Sequence, residues 1–348
     1  MSVFYKLPVK EITRETAEAV SICFDVPDHL KDEFRFIPGQ YVTLQIDIDG
    51  SVLRRAYSIC SSPSSGELRV SVKEVPKGRF SHFANQKLKA GDEVEVAGPE
   101  GRFTLETSDA EKKYIAFVAG SGITPLMSMI QDVLEKEPGS RFLLVYGNKS
   151  KDKTMFRARL DELRDKSEGR LEVHYVFSQI ISDNSHFGRI DKVLVKKILD
   201  KYGDTRFDEY FLCGPEQMID TVKEELIKSG VKEDAIKLEL FTSTSHKKEI
   251  KKELSGNTEI TIVLDDEETR FEMRMDEIIL DAALAKGLDA PYSCQGGICS
   301  SCLARVTEGK AVMERNSILD EEEIEEGLIL TCQAHPITES IKIDYDDV

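Results

Sequence analysis

Four cysteines near the end of the chain constrain it more than any other feature. In Cys294-Gln-Gly-Gly-Ile-Cys299-Ser-Ser-Cys302, four and then two residues separate the first three, and Cys332 follows about thirty residues on. This is the plant-type ligand spacing for a [2Fe–2S] cluster. A loop that wraps a cluster and offers several thiolates must turn sharply, and Gly296, Gly297, Ser300 and Ser301 are small enough to allow it. Their backbone N–H groups can also point at the sulfurs and tune the potential. The alternatives are a zinc site or unrelated thiols. Zinc pairs its cysteines as two short knuckles, and a three-plus-one pattern departs from that. A one-electron cluster needs a donor and an acceptor, so the rest of the chain is expected to supply one of them.

At 348 residues the chain has room for two or three domains. It has no run of about 18 apolar residues, so no membrane span is expected. Met1 to Thr13 lacks the apolar core of a signal peptide, so a cytoplasmic location is expected. The three remaining cysteines, Cys23, Cys60 and Cys213, form no disulfide pattern, which fits a reducing compartment. The net charge of −17 is uneven: residues 257–348 hold 22 Asp and Glu against 7 Lys and Arg, or −15, leaving −2 elsewhere. That balance argues against nucleic acid. It suits docking to a basic partner surface, and equally it suits mere solubility of a small domain.

Hydrophobic patterning divides the chain. Residues 1–108 read as an antiparallel β-barrel: six short strands punctuated by Gly and Pro, with one helix from about Arg79 to Leu88. Residues 109–242 alternate strand and helix, the mark of an α/β domain with a parallel sheet. Within it a helix is expected over Lys153–Lys166. Residues 243–257 are polar and read as a linker. Residues 258–348 read as a small α+β domain, with a hairpin, a helix from about Ile278 to Lys286, the cysteine loop and further strands.

Three further motifs carry chemistry. Arg55-Ala56-Tyr57-Ser58, on a barrel strand, offers a flat aromatic, a hydroxyl and a cation, which a flavin needs for its ring and phosphates. By itself it also fits a half-buried edge strand. Gly78-Arg79-Phe80-Ser81 adds a glycine turn opening a helix, whose free N–H groups suit a phosphate. Gly120-Ser-Gly122-Ile123-Thr124-Pro125 follows a strand and opens a helix, the geometry of a pyrophosphate loop, although Pro125 stands where a third glycine is usual. Cys213-Gly214-Pro215 ends the last of these strands, where open α/β sheets bind ligands and where a glycine admits a nicotinamide ring. Alone it also fits a plain strand-to-helix turn with an inert thiol. After the second strand, Asn148 and Lys149 begin a stretch with Lys151 and Lys153. Cations suit the 2′-phosphate of NADPH, whereas an acid would suit NADH. A solvated lysine face is the alternative.

In this order, and together with Pro38-Gly-Gln-Tyr41 and Tyr146-Gly-Asn148, the motifs resemble the ferredoxin–NADP reductase superfamily, in its members with a fused C-terminal plant-type ferredoxin. Among these the chain is similar to reductase subunits of the phenylacetyl-CoA epoxidase type. The resemblance covers nearly the whole chain. It implies FAD held by Arg55, Ala56, Tyr57 and Ser58, with its pyrophosphate at Gly78 to Ser81. It implies a flavin–nicotinamide contact flanked by Thr124 and Cys213, with Ser58 and Cys213 as the catalytic pair and Glu239 and Phe241 near the flavin ring. Lys73 and Met218 join the expected cofactor-binding set, and Cys294, Cys299, Cys302 and Cys332 hold the cluster. The activity implied is electron transfer from NADPH or NADH through FAD and the cluster to a separate oxygenase, docked through the acidic domain. A different acceptor (a hydroxylase, a desaturase or a sugar dehydratase) is the alternative, as is a redox-sensing or scaffold protein.

Overall fold

The computed structural model describes residues 3–203, 206–242, 254–316 and 318–348, with the side chains of residues 241 and 242 excepted. Its described residues form two compact units, 4–242 and 254–348, the second joined by residue 3. Most of the expected linker, residues 243–253, lies outside the described residues.

Six strands make the N-terminal barrel: β1 (Phe4–Thr16), β2 (Ala19–Phe24), β3 (Tyr41–Ile48), β4 (Ser51–Ser58), β5 (Leu68–Lys73) and β6 (Glu93–Ala97). Their order is β4-β3-β6-β1-β2-β5, with antiparallel neighbours throughout. A bridge between Ile59 and Val70 joins the two edges. β1 reaches two partners because it bends: its register against β2 slips between Val9 and Glu11 and again between Arg14 and Thr16. Helix α1 (Arg79–Gln86) turns Phe80 and Ala84 into the barrel core. It is fixed by Asn85, whose amide donates to the Val72 carbonyl at 3.1 Å.

The second half of this unit carries β7 (Lys113–Ala119), α2 (Ile123–Lys136), β8 (Arg141–Asn148), α3 (Arg157–Lys166), β9 (Leu171–Phe177), β10 (Ser185–Phe187), α4 (Lys192–Lys201), β11 (Glu209–Pro215), α5 (Glu216–Lys228) and β12 (Ile236–Thr242). The sheet order is β10-β9-β8-β7-β11-β12 and every pair is parallel. β7 and β8 are continuous apolar runs because helices cover both faces. The expected helix over Lys153–Lys166 starts only at Arg157. Phe156 adopts a left-handed φ of 55° that ends any helical run before it. β10 and β12 are additions that patterning did not mark. α2 is almost wholly buried, and its core cluster takes in Ala19, Cys60, Phe103 and Leu105, so barrel and sheet share one core.

In the C-terminal unit, β13 (Asn257–Leu264) and β14 (Glu267–Arg274) form the expected hairpin. Its two turn residues, Asp265 and Asp266, both have left-handed φ, and the Asp346 carboxylate accepts both their N–H groups. Then follow α6 (Ile279–Ala285), β15 (Leu303–Glu308), β16 (Ala311–Met313), α7 (Glu321–Glu325), β17 (Leu328–Leu330), β18 (Ala334–Pro336) and β19 (Ser340–Asp344). The five-stranded sheet runs β14-β13-β19-β15-β17, with β13 and β19 parallel at its centre. α6 packs Ile279, Leu280 and Ala283 into the same core as Cys302 and Cys332.

Candidate functional site

The barrel brings its two motifs into contact. Tyr57 on β4 meets Phe80 in the first turn of α1, ring centroids 5.5 Å apart and tilted by 38°. Burial pushes the Tyr57 phenol well above its usual range, and the neighbouring Arg55 charge offsets this in part. Ser58 lies buried one residue on. A side chain at Gly78 would be crowded: an added Cβ would stand 2.4 Å from Ser81 Oγ and 2.5 Å from Val75 Cγ2. The Ser81 hydroxyl accepts from Val75 N–H and donates to the Gly78 carbonyl, closing the turn. Arg79 donates to the Ile48 carbonyl at 2.6 Å, so this guanidinium braces the strand beside it. Among the described residues no side chain caps the α1 N-terminus.

The second locus is the switch point of the parallel sheet, where β7 lies between β8 and β11 and the strand order reverses. Gly120–Gly122 leaves β7 as a single tight turn into α2, and Pro125 sits in the helix's first turn, where its missing N–H costs nothing. Ile123 is fully buried beneath the loop. Gly120 has φ 58°, and its carbonyl accepts from the Tyr146 hydroxyl at 3.0 Å. Thr124 Oγ1 donates back to the Ser121 carbonyl at 3.0 Å. A Cβ on Gly122 would stand 2.4 Å from the Cys213 carbonyl oxygen and 3.1 Å from its sulfur. The loops after β7 and β11 are therefore packed backbone to backbone. A Cβ on Gly214 would meet Met218 Cε at 3.0 Å and Ala119 N at 3.2 Å. Pro215 then caps α5 from an extended conformation. Cys213 is fully buried, and burial followed by the nearby Glu239 charge pushes its thiol well above the usual range. Glu239 is its register partner on β12. Phe241 follows on that strand, its side chain outside the described residues.

The barrel reaches this locus too. Lys73, at the end of β5, places Nζ 3.8 Å from where a Cβ on Gly120 would be. At the end of β8, the Asn148 amide lies against the Tyr146 hydroxyl, and Lys149 follows. Lys153 pairs with Glu18 of the barrel at 2.9 Å. No sequence signal marks that contact, because 135 residues separate the partners.

In the C-terminal unit the four cysteines converge. Cys294 and Cys299 sulfurs lie 3.1 Å apart, and the Cys332 thiol is within reach of both Cys294 and Cys302. None forms a disulfide. The Gly296 N–H donates to the Cys294 sulfur at 3.3 Å, and the Gly297 N–H serves Cys332. Gln295 and Gly297 both have left-handed φ, and a Cβ on Gly297 would stand 3.0 Å from the Arg315 carbonyl. Gln333 donates to the Gln295 carbonyl at 3.1 Å, and Thr331 Oγ1 donates to the Cys302 carbonyl at 3.0 Å. The segment of Cys332 is thus tied to the loop that carries the other three cysteines. His335 is buried against Glu314 at 3.0 Å and takes no part in the thiol group.

Family models for an oxidoreductase FAD-binding domain, an oxidoreductase NAD-binding domain and a 2Fe-2S iron-sulfur cluster binding domain match residues 6–105, 117–224 and 262–336. The chain is 39% identical to one of the subunits of 1,2-phenylacetyl-CoA epoxidase from Escherichia coli (strain K12), over 99% of both chains. The chain belongs to the ferredoxin–NADP reductase superfamily, in the branch with a C-terminal [2Fe–2S] domain. It is 35% identical to the ferredoxin reductase component of 3-ketosteroid-9-alpha-monooxygenase of Rhodococcus rhodochrous, over 97% of this chain and 96% of that one. Among solved structures, phthalate dioxygenase reductase shares the fold with a TM-score of 0.64 at 23% identity, covering 98% of each chain. As a member of this superfamily the protein is an NAD(P)H-dependent oxidoreductase with an FAD-binding, an NAD-binding and a [2Fe–2S]-binding domain.

The residues present fit these groups. The cysteine loop offers four thiols linked in neighbouring pairs, Cys299 to Cys294, Cys294 to Cys332 and Cys332 to Cys302, backbone donors aimed at sulfur, and a left-handed glycine, Gly297, at which a side chain would be strained. Its contact with Cys294, and then burial, push the Cys299 thiol well above the usual range. Iron charge would reverse that by stabilising thiolates, so loading releases protons. The bound flavin and cluster supply the step-down from paired to single electrons. The protein's part is to orient them and exclude water.

Proposed function

We propose that this protein is the reductase component of an oxygenase of the phenylacetyl-CoA epoxidase kind, drawing electrons from NADPH. The observation that carries the proposal is the 39% identity to the epoxidase component across 99% of both chains. In this reading the domains run 1–108, 109–242 and 258–348. Arg55, Ala56, Tyr57 and Ser58 seat the FAD ring and phosphates, with the α1 N-terminus at its pyrophosphate. Gly120 to Pro125, Cys213 to Pro215 and Met218 admit the nicotinamide nucleotide, with Ser58, Thr124 and Cys213 at the ring contact. The acidic C-terminal domain meets a basic surface on the oxygenase. Buried, unpaired thiols at Cys23, Cys60 and Cys213 suit a cytosolic location. Among the described residues no helix is long and apolar enough to cross a membrane.

NADPH is favoured over NADH because cations dominate the end of β8. The acid among them, Asp152, accepts from the Ser150 hydroxyl at 2.6 Å. Lys149→Ala is expected to lower kcat/KM about tenfold with NADPH and less than twofold with NADH, the loss of one charge-assisted phosphate contact. Steady-state kinetics at fixed ionic strength checks this. Tyr57→Ala is expected to weaken FAD about tenfold, while Tyr57→Phe, which keeps the ring, retains it. Flavin-to-protein absorbance after gel filtration reads the difference, and full flavin retention by Tyr57→Ala would remove Tyr57 from the site.

The deciding experiment combines the protein with purified phenylacetyl-CoA epoxidase oxygenase subunits, NADPH and phenylacetyl-CoA, and measures epoxide formation. The 35% identity to a ketosteroid monooxygenase reductase supports a second reading, in which the acceptor is another oxygenase. NADPH oxidation with artificial acceptors but no epoxide would favour it.

A further inference from the structure

We propose that Glu18 is a built-in stand-in for a phosphate: its carboxylate holds Lys153, which with Lys149 receives the 2′-phosphate of the nucleotide, and so tempers the preference for phosphorylated over unphosphorylated nicotinamide nucleotides. The inference rests on the nucleotide-loop reading above.

Glu18 sits in the turn between β1 and β2 and is clamped there. Its N–H donates to Thr16 Oγ1 at 3.2 Å, and its carbonyl accepts from Glu74 N–H at 2.7 Å. That second bond fixes it beside the end of β5, where Lys73 lies opposite Ala19 in register. Its carboxylate reaches Lys153 at 2.9 Å. It is held below the usual carboxylate range by the hydrogen bond from Lys153, aided by the charges of Lys153, Lys73 and Lys149. Lys73, beside the Gly120 turn, is pushed below the usual lysine range by burial. Glu18 opposes that shift, and Lys149 and Lys153 add to it. Three ammonium groups drawn from two domains thus meet the Glu18 carboxylate, with the exposed Asp152 as a further acid near Lys153, which still leaves the group short of negative charge.

A phosphate monoester at neutral pH carries about 1.5 to 2 negative charges, more than a carboxylate can supply. The Lys153–Glu18 pair is about half exposed, with side chains 36% and 46% accessible. Half-exposed ion pairs of this kind contribute little net stability, so an arriving phosphate can take the lysine over. A nucleotide without the 2′-phosphate has nothing to exchange.

The test is titration calorimetry on the full-length oxidised holoprotein at one low salt concentration. The probes are 2′,5′-ADP, which carries the 2′-phosphate, and 5′-AMP, which lacks it. Glu18→Gln is expected to tighten 2′,5′-ADP about threefold to tenfold and 5′-AMP less than twofold, and Lys153→Ala in the same chain to abolish the gain. An unchanged ratio of the two affinities, or equal tightening of both, would overturn the proposal. Weaker 5′-AMP binding in Glu18→Gln would overturn it too, because the carboxylate would then be receiving ribose hydroxyls. Gly122→Ala separates the two levels of inference. If it weakens 5′-AMP while Glu18→Gln leaves the ratio unchanged, only the role of Glu18 falls. If it leaves 5′-AMP binding intact, the nucleotide-loop reading falls and Glu18 with it.

Discussion

Cys299→Ser is expected to remove iron and inorganic sulfide from the protein, and to cut cytochrome c reduction by about a hundredfold or more, while NADPH still reduces the flavin at a rate within about twofold of normal. The reason lies in the donor set. Cys299 is buried, its sulfur 3.1 Å from that of Cys294. Serine keeps the shape but cannot supply a thiolate, and an alcohol ionises far less readily than a thiol. The three remaining cysteines cannot close the shell, because plant-type clusters take four. Flavin reduction is spared because the cysteines belong to the C-terminal unit, whereas Tyr57, Gly120 and Cys213 belong to the unit of residues 4–242. Iron analysis, visible absorption and anaerobic stopped-flow reduction measure the three quantities. Normal iron content together with full cytochrome c reduction would remove Cys299 from the cluster.

The second large effect comes from a single methyl group. Gly122→Ala places a Cβ 2.4 Å from the Cys213 carbonyl oxygen and 2.7 Å from its carbonyl carbon. Neither atom can retreat, since Cys213 is paired to β7 on one side and β12 on the other. The Gly120–Gly122 turn must lift instead, carrying the N-terminus of α2 away from the switch point. Overpacking of this kind costs about 1–3 kcal/mol, and the KM for NADPH is expected to rise at least about tenfold with FAD content unchanged. Urea denaturation and steady-state kinetics read both. Gly120→Ala provides the contrast. Its φ of 58° is strained for alanine, but only the flexible Lys73 Nζ lies near, at 3.8 Å. Its effect should be a stability loss of about 1 kcal/mol with a much smaller change in KM. Equal KM values for wild type and Gly122→Ala would show that the turn does not bind the nucleotide.

Features that depend on neighbours along the chain were legible in the residues alone. Apolar runs and alternation marked the six strands of the barrel and the start of α1, because periodicity follows which face is buried. The glycines at 78, 120 and 122 could be read from their places at strand ends, and the cysteine spacing named its cluster, since a metal loop is a local solution to a geometric demand. Where the signal failed, a distant partner had decided the outcome. β12 exists because Ile236–Thr242 finds an open edge on β11. The helix expected from Lys153 starts late because Met155 and Phe156 are drawn into the shared core of barrel and sheet. Arg79 reaches the Ile48 carbonyl, 31 residues back along the chain. The meeting of Lys153 with Glu18, and of Lys73 with the Gly120 turn, was settled only when the two domains docked. Charge on a side chain is written in the sequence, but which opposite charge it meets depends on packing between segments that the chain holds far apart.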